Sequence, residues 1–348
     1  MKVKTIKRIL TGILNKFAES ITDETVKEMV LRDTIITGGS IASLLIKEPV
    51  NDYDLYFRSK ATVKAVSEYY CKQIRDAGRA NIIILDKDHE LIKKLLSVDF
   101  DLPWIRTEIE GADTEEDWSK IDAVRTVLDD LKGTYPMSFK SLYCLKRTFQ
   151  DDTEDRVYLK LMSGRFEDPA EDPEEALNEQ KAPDPGNGKY EVRFISANAI
   201  TLSDRIQIVT RFYGDPDKIH ENFDFVHATS YWTSWEKKVV TNTEALESLL
   251  GRYLIYKGSK YPVASVLRAR KFIKRGWNID AGQYLKMIFQ INRLDLYDVY
   301  TLEEQLTGVD LMYFWQILSD LSGKLIKDKE FKPGTDYFIN IIEKVFED

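Results

Sequence analysis

Apolar residues recur every three or four positions over 4–19, at Ile6, Ile9, Leu10, Ile13, Leu14 and Phe17, and again over 23–31. That spacing predicts two amphipathic helices, the second capped by Thr22 or Asp23. Short alternating or continuous apolar runs then alternate with helical ones. "TIIT" predicts a strand, "SIASLLI" a helix ending before Pro49, and "DYDLYF" a strand. They are followed by "TVKAVSEYYCKQIRDA" as a helix, "NIIILD" as a buried strand and 87–97 as a helix. Further helices are predicted over 117–132 and 137–149. Strands resume with "YEVRFISA", "RIQIVTRF", "FDFVHATSYW" and "EKKVVT", and from about 243 onward the pattern is helical, over 262–275, 281–292, 310–323 and 335–346.

This order predicts an α+β domain over residues 1–240 with a polar insertion at about 150–189, followed by an all-helical domain over 241–348. The stretch 165–189 carries four prolines and no sustained apolar period, as a solvated loop does. No apolar run reaches the roughly 18 residues of a membrane span, and the basic N-terminus reads as an amphipathic helix rather than a targeting segment. Cys71 and Cys144 lie far apart, and His89, His220 and His227 have no metal-ligand spacing. The expected compartment is therefore reducing and cytoplasmic, without a disulfide framework or zinc site.

The net charge of −8 conceals segregation. Residues 151–187 hold twelve acidic against four basic side chains, whereas 251–276 hold eight basic and no acidic ones. Such separation bears on partners more than the total does.

Two local patterns carry chemistry. Gly38 and Gly39 follow a strand and Ser40 opens a helix, so backbone can approach a ligand and direct helix N–H groups at it. Ser40 is placed to cap the helix and to donate to a phosphate. Read alone, the pair of glycines is also an ordinary strand-turn-helix junction. Asp52 and Asp54 project from one strand face, with Tyr53 and Leu55 on the other. Two such carboxylates repel unless a cation lies between them, and hard oxygen ligands suit Mg²⁺. Read alone, Asp-x-Asp is also a strand entered through a polar turn.

Together, the order strand, Gly-Gly-Ser, helix, and Asp-x-Asp on a strand resembles the signature of the DNA polymerase β-like nucleotidyltransferase superfamily. The resemblance covers about residues 33–58, and more loosely 190–235, where it extends to nucleotidyltransferase-like proteins of bacteriophage genomes. It implies a polymerase β-like core, a mixed sheet flanked by helices. Gly38, Gly39 and Ser40 would bind the nucleoside triphosphate, and Asp52 and Asp54 two Mg²⁺ ions, or Mn²⁺ in their place. A third carboxylate is implied on a later strand. Asp224, between Phe223 and Phe225, is the favoured candidate, with Asp99 or Asp101 in "SVDFDLPW" as the rival. The reaction implied is transfer of a nucleoside monophosphate from an NTP to a hydroxyl, with pyrophosphate released. The acceptor would be an RNA 3′ end, a protein or a small molecule, in the host cytoplasm if the chain is phage-encoded. The alternative is a non-catalytic phage structural or regulatory protein on the same fold.

In "YPVASVLRARKFIKRGW", Arg268, Lys271 and Arg275 share a helix face. They are candidate phosphate contacts, for the triphosphate or a nucleic-acid acceptor, or a plain solvated face. Tyr253, Tyr256 and Tyr261 are candidates for base stacking or for core packing. His227 reads as structural.

Overall fold

A computed structural model describes residues 1–98, 126–150 except 128, 132, 136 and 138, 155–164 and 190–296, together with 301 and 305. Asp99 and Asp101, residues 165–189 and the helices expected over 310–323 and 335–346 lie outside the described residues.

The described chain is a mixed α/β fold. Helices α1 (Val3–Glu19) and α2 (Glu24–Asp33) lead into strand β1 (Thr34–Thr37), followed by α3 (Gly39–Ile46), β2 (Tyr53–Phe57) and α4 (Lys60–Asp76). α1 buries Ile6, Leu10, Leu14 and Phe17, the stripe its periodicity specifies. Asp23 caps α2 by accepting from the Val26 amide at 3.1 Å, and Ser59 caps α4 by accepting from Thr62 at 3.2 Å. Asp33 ties these helices together. Arg32 holds it through two hydrogen bonds, and Thr62 and Ser59 donate to the same carboxylate.

Seven strands form one mixed sheet. Its order is β5 (Val192–Ser196), β6 (Ala199–Leu202), β7 (Ile206–Tyr213), β2, β1, β8 (Tyr231–Thr233) and β9 (Val239–Val240). β1 pairs antiparallel with β2, and β2 pairs parallel with β7. All four residues of β1 are buried, because the sheet is covered on both faces where it passes the middle. One face puts Leu55, Phe57, Ile36, Ile208 and Trp232 against α1, α2 and α4. The other carries Ile35 and Tyr56 against Ile219 of the short helix α7 (Pro216–His220), with Phe223 at the margin.

β3 (Ala80–Leu85) pairs antiparallel with β4 (Tyr158–Gly164) in a separate two-stranded sheet. Helices α5 (Glu90–Ser97) and α6 (Phe139–Gln150) pack beside it, through Leu91, Ile92, Leu95, Leu142, Leu145 and Phe149. The first part of the polar insertion expected over about 150–189 therefore carries a strand, with Val157 and Leu159 buried.

Three further helices follow, α8 (Thr243–Gly251), α9 (Pro262–Lys274) and α10 (Ala281–Ile291). Asn242 and Asp280 cap α8 and α10, accepting from Ala245 and Gln283 amides, and Pro262 opens α9 where its missing N–H costs nothing. These helices do not stand apart from the sheet domain. Ala42 of α3 and Phe225 join Leu249, Leu254, Tyr256, Ala269, Trp277 and Met287 in one buried cluster. Burying each large apolar side chain there stabilises by roughly 1.5–3 kcal/mol, and α8 packs against α3 while α9 packs against α10. Among the described residues no helix is long and apolar enough to cross a membrane.

Candidate functional site

The Gly-Gly-Ser turn lies at the end of β1, where the chain reverses into α3. Gly38 has φ +87° and ψ −152°, a backbone that side-chain-bearing residues rarely adopt, and it is the N-cap of α3. Its amide donates to the Ala228 carbonyl at 3.2 Å, which fixes the turn against a 3₁₀ turn over Val226–Ala228. Gly39 is exposed and begins the helix, and the first-turn amides there have no intrahelical acceptors. Ser40 departs from the expected capping role. It is buried inside the first turn, and its hydroxyl donates back to the Thr37 carbonyl at a long 3.5 Å.

The aspartates stand beside this turn. Asp54 is in register with Thr37 on the neighbouring strand, and Asp52 lies just before β2 begins at Tyr53. Alternation holds, with Tyr53 and Leu55 facing the α1–α4 core and Tyr56 facing the other way. A Cβ built on Gly38 would come within 3.1 Å of Asp54 Oδ2, so the carboxylate rests against the glycine. Burial, and next the charge of Asp52, push the Asp54 carboxyl well above its ordinary value. Burial lifts Asp52 too, against the pull of Lys271 and Arg275. Desolvation thus raises both half-buried acids, and the charge of Asp52 raises Asp54 further. Burial and then Asp54 also drive the neighbouring Tyr56 hydroxyl well above its usual range, where it stays neutral.

The basic helix reaches this place. Arg268 of α9 donates through Nη1 to Asp224 Oδ2 at 2.8 Å. Lys271 and Arg275, one turn and two turns further on, are exposed and lie within the electrostatic reach of Asp52. Nine of the residues singled out in the sequence thus lie in one neighbourhood, in two layers. Gly38, Gly39, Ser40, Asp52 and Asp54 belong to the sheet layer, and Asp224, Arg268, Lys271 and Arg275 to the α9 side.

Asp224 is not where the sequence placed it. "FDFVHATSYW" is not one strand. Asp224 occupies a bend, Phe225 makes a single bridge to Tyr256, and a 3₁₀ turn separates them from β8. Two aromatic flanks mimic strand alternation, but Phe225 serves the α8–α10 cluster and Phe223 stacks near Tyr56, so the chain turns between them. The strand beside β2 is instead β7, and the residue in register with Asp54 is Gln207, an amide. No local signal marks Gln207, since its position follows from a pairing across more than 150 residues of chain. Among the described residues no three His, Cys, Asp or Glu side chains group closely enough to hold an ion. Asp52 and Asp54 are two carboxylates on one strand face, and Asp224 is engaged by Arg268.

Sequence reasoning also passed over the support of the turn. Thr37 donates to the Ser230 carbonyl at 2.9 Å and accepts from His220 Nε2 at 2.8 Å, so His220 carries its proton on Nε2. Burial, then Lys257, push the His220 pKa down to about 4, so the ring is neutral and serves as a brace. His227 is buried among Phe225, Phe272 and Trp277, with burial lowering its pKa to about 4. Tyr256 and Tyr261 are core residues, and Tyr256 donates its hydroxyl to Gln290.

Residues 8–252 match the family described as Gad2, Gabija anti-defense 2 family protein. The chain belongs to the Gabija anti-defense 2 family. That match spans α1 through α8, and so takes in the glycine turn, both strand aspartates and Asp224, whereas Arg268, Lys271 and Arg275 lie beyond it. No curated protein and no solved structure matches the chain significantly.

Proposed function

We propose that this Gad2 family member is a metal-dependent nucleotidyltransferase of the polymerase β-like kind, acting against the Gabija defence for which its family is named. One observation carries the reading. Asp52 and Asp54 stand half-buried on one strand face, Asp54 against the Gly38 turn, at the start of a helix whose Gly39 is exposed, with Lys271 and Arg275 within electrostatic reach of Asp52.

In this reading the α3 first-turn amides and the Ser40 hydroxyl bind phosphate oxygens of an NTP. Asp52 and Asp54 would hold Mg²⁺, or Mn²⁺ in its place, and such an ion would supply charge neutralisation for the phosphates and a lowered pKa for an attacking hydroxyl. Arg268, Lys271 and Arg275 orient the phosphate tail, the guanidiniums as forks and the lysine as a point charge. The reaction joins a nucleoside monophosphate to an acceptor oxygen and breaks the α–β phosphoanhydride, with pyrophosphate leaving. No protein nucleophile is needed. The acceptor is an RNA 3′ end, a small molecule or a protein, and components of the defence system are the first proteins to try.

The test is incubation with each α-labelled NTP, Mg²⁺ and a panel of RNA and protein acceptors. Label should move to an acceptor with the native chain and not with Asp52→Asn plus Asp54→Asn. Absence of transfer together with absence of Mg²⁺-dependent NTP binding would overturn the reading.

A second reading is a non-catalytic nucleotide-binding antagonist on the same fold. The observation favouring it is Gln207, in register with Asp54, while Asp224 is paired to Arg268. Tight Mg²⁺-dependent NTP binding without transfer from any NTP would select it.

A further inference from the structure

Asp224 is held rigidly from its own side. Its carbonyl accepts from the Lys257 amide at 2.8 Å, and the next residue bridges to Tyr256. Arg268 arrives from α9, a separate element, and meets it through Nη1. The guanidinium is incompletely used by that partner. Arg268 Nε is buried with no acceptor among the described residues, although the group presents five donors in a planar fork. The arginine side chain is 34% exposed, whereas the Asp224 side chain is 12% exposed, so solvent reaches the pair from the cation's side. Lys271 and Arg275 follow on the same helix face, giving a row of cations of which the first is stoppered by an internal carboxylate.

Resting on the polyphosphate reading of this site, we propose that the Arg268–Asp224 ion pair is a latch: Asp224 occupies the anion position on Arg268, and a polyphosphate takes its place by exchange. A phosphate in that place offers oxygens to Nη1 and Nη2 along the terminal edge of the fork, where the carboxylate reaches Nη1 alone. The exchange is a side-chain event. Ala264 and Ala269 are buried, and Phe272 packs edge-on to Trp277 and Phe225, so α9 keeps its seat while Arg268 changes partners. The latch keeps Arg268 from capturing stray anions and couples its release to a ligand whose further phosphates reach Lys271 and Arg275.

The experiment is calorimetric titration with sodium tripolyphosphate in EDTA, which needs neither a metal nor turnover. Asp224→Asn should bind on the order of tenfold more tightly than the native chain, the worth of about one charge-assisted hydrogen bond. In an Arg268→Gln background the same substitution should change affinity less than about twofold, since little latch remains to open. An equal gain in both backgrounds would mean simple removal of a negative charge and would overturn the latch, as would no gain in either. Nitrogen NMR of the arginine side chains in the native chain provides a check independent of folding in the variants. Saturating tripolyphosphate should shift the Arg268 Nε–H resonance, and an unmoved resonance overturns the proposal. Failure of NTP transfer with the tripolyphosphate cycle intact would sink the enzyme reading and leave the latch standing. Transfer with no coupling in the cycle would do the reverse.

Discussion

Gly38 and Asp54 share a space that admits only one side chain. The Asp54 carboxylate oxygen lies 3.1 Å from where a Gly38 Cβ would stand, and Gly38 has φ +87°. A residue with a side chain at 38 meets both steric pressure on Asp54 and a strained backbone. Gly39 has nothing within 4 Å of its would-be Cβ and begins a helix. Gly38→Ala should therefore lower the melting temperature by several degrees, about 1–3 kcal/mol, and weaken NTP binding. Gly39→Ala should leave melting unchanged or slightly raised while still weakening NTP binding, because only the ligand needs the bare backbone. Full NTP affinity in Gly39→Ala would show that no phosphate approaches there.

Desolvation raises both strand acids and the charge of Asp52 raises Asp54 further, so in the folded state they resist ionisation. A raised carboxyl contributes stability that is present at low pH and is lost as pH rises above the ordinary carboxylate value of about 4. Asp52→Asn with Asp54→Asn should thus raise the melting temperature at pH 7 by about 2–4 °C, with the gain fading toward pH 4. The variant should lose Mg²⁺-dependent NTP binding. A melting temperature lowered at pH 7 would contradict the repulsion.

Proton release follows from the same shifts. A divalent cation held by Asp52 and Asp54 must displace protons from carboxyls that keep them longer than usual. Apparent Mg²⁺ affinity should climb with pH from about 4 upward, further than it does for an exposed Asp pair. Calorimetry in two buffers of different ionisation enthalpy measures the protons released. An affinity that is flat with pH would remove the ion from this pair.

Ser40 is not the cap of its helix, so its replacement separates binding from stability. Ser40→Ala should move the melting temperature little, because its one bond to Thr37 is long. It should weaken NTP binding by about 1.5–3 kcal/mol, one hydrogen bond to a charged group. A large melting loss with unchanged affinity would make the hydroxyl structural.

The buried histidines carry the opposite pH dependence. His220 and His227 titrate near pH 4 when folded and near 6.5 when unfolded, so the unfolded chain takes up protons first. Their contribution is intact above about pH 6.5 and is lost progressively as pH falls toward 4. His227→Phe keeps an aromatic ring among Phe225, Phe272 and Trp277 and should flatten that acid loss. Melting curves at pH 5.5 and 7.5 should differ less for the variant than for the native chain. An unchanged difference would exclude His227 as a source.

Much of this site was readable along the chain because its key pattern is local. The strand TIIT, the Gly-Gly turn, the two-turn helix and the alternation of Asp52, Tyr53, Asp54 and Leu55 follow from periodicity and backbone freedom within about twenty residues. The face shared by Arg268, Lys271 and Arg275 is likewise a property of one helix. β4 escaped because its apolar alternation is embedded in an acid-rich stretch. Asp224 was misplaced because aromatic neighbours imitate a strand when they serve two different cores. Tertiary structure alone decided that Gln207 stands beside Asp54 and that Arg268 closes on Asp224, joining residues 153 and 44 positions apart. Periodicity tells which way a side chain points from its own element. Which element it meets is set by packing and hydrogen-bond register between distant segments, and those are settled only when the sheet and the helices over it close on a common core.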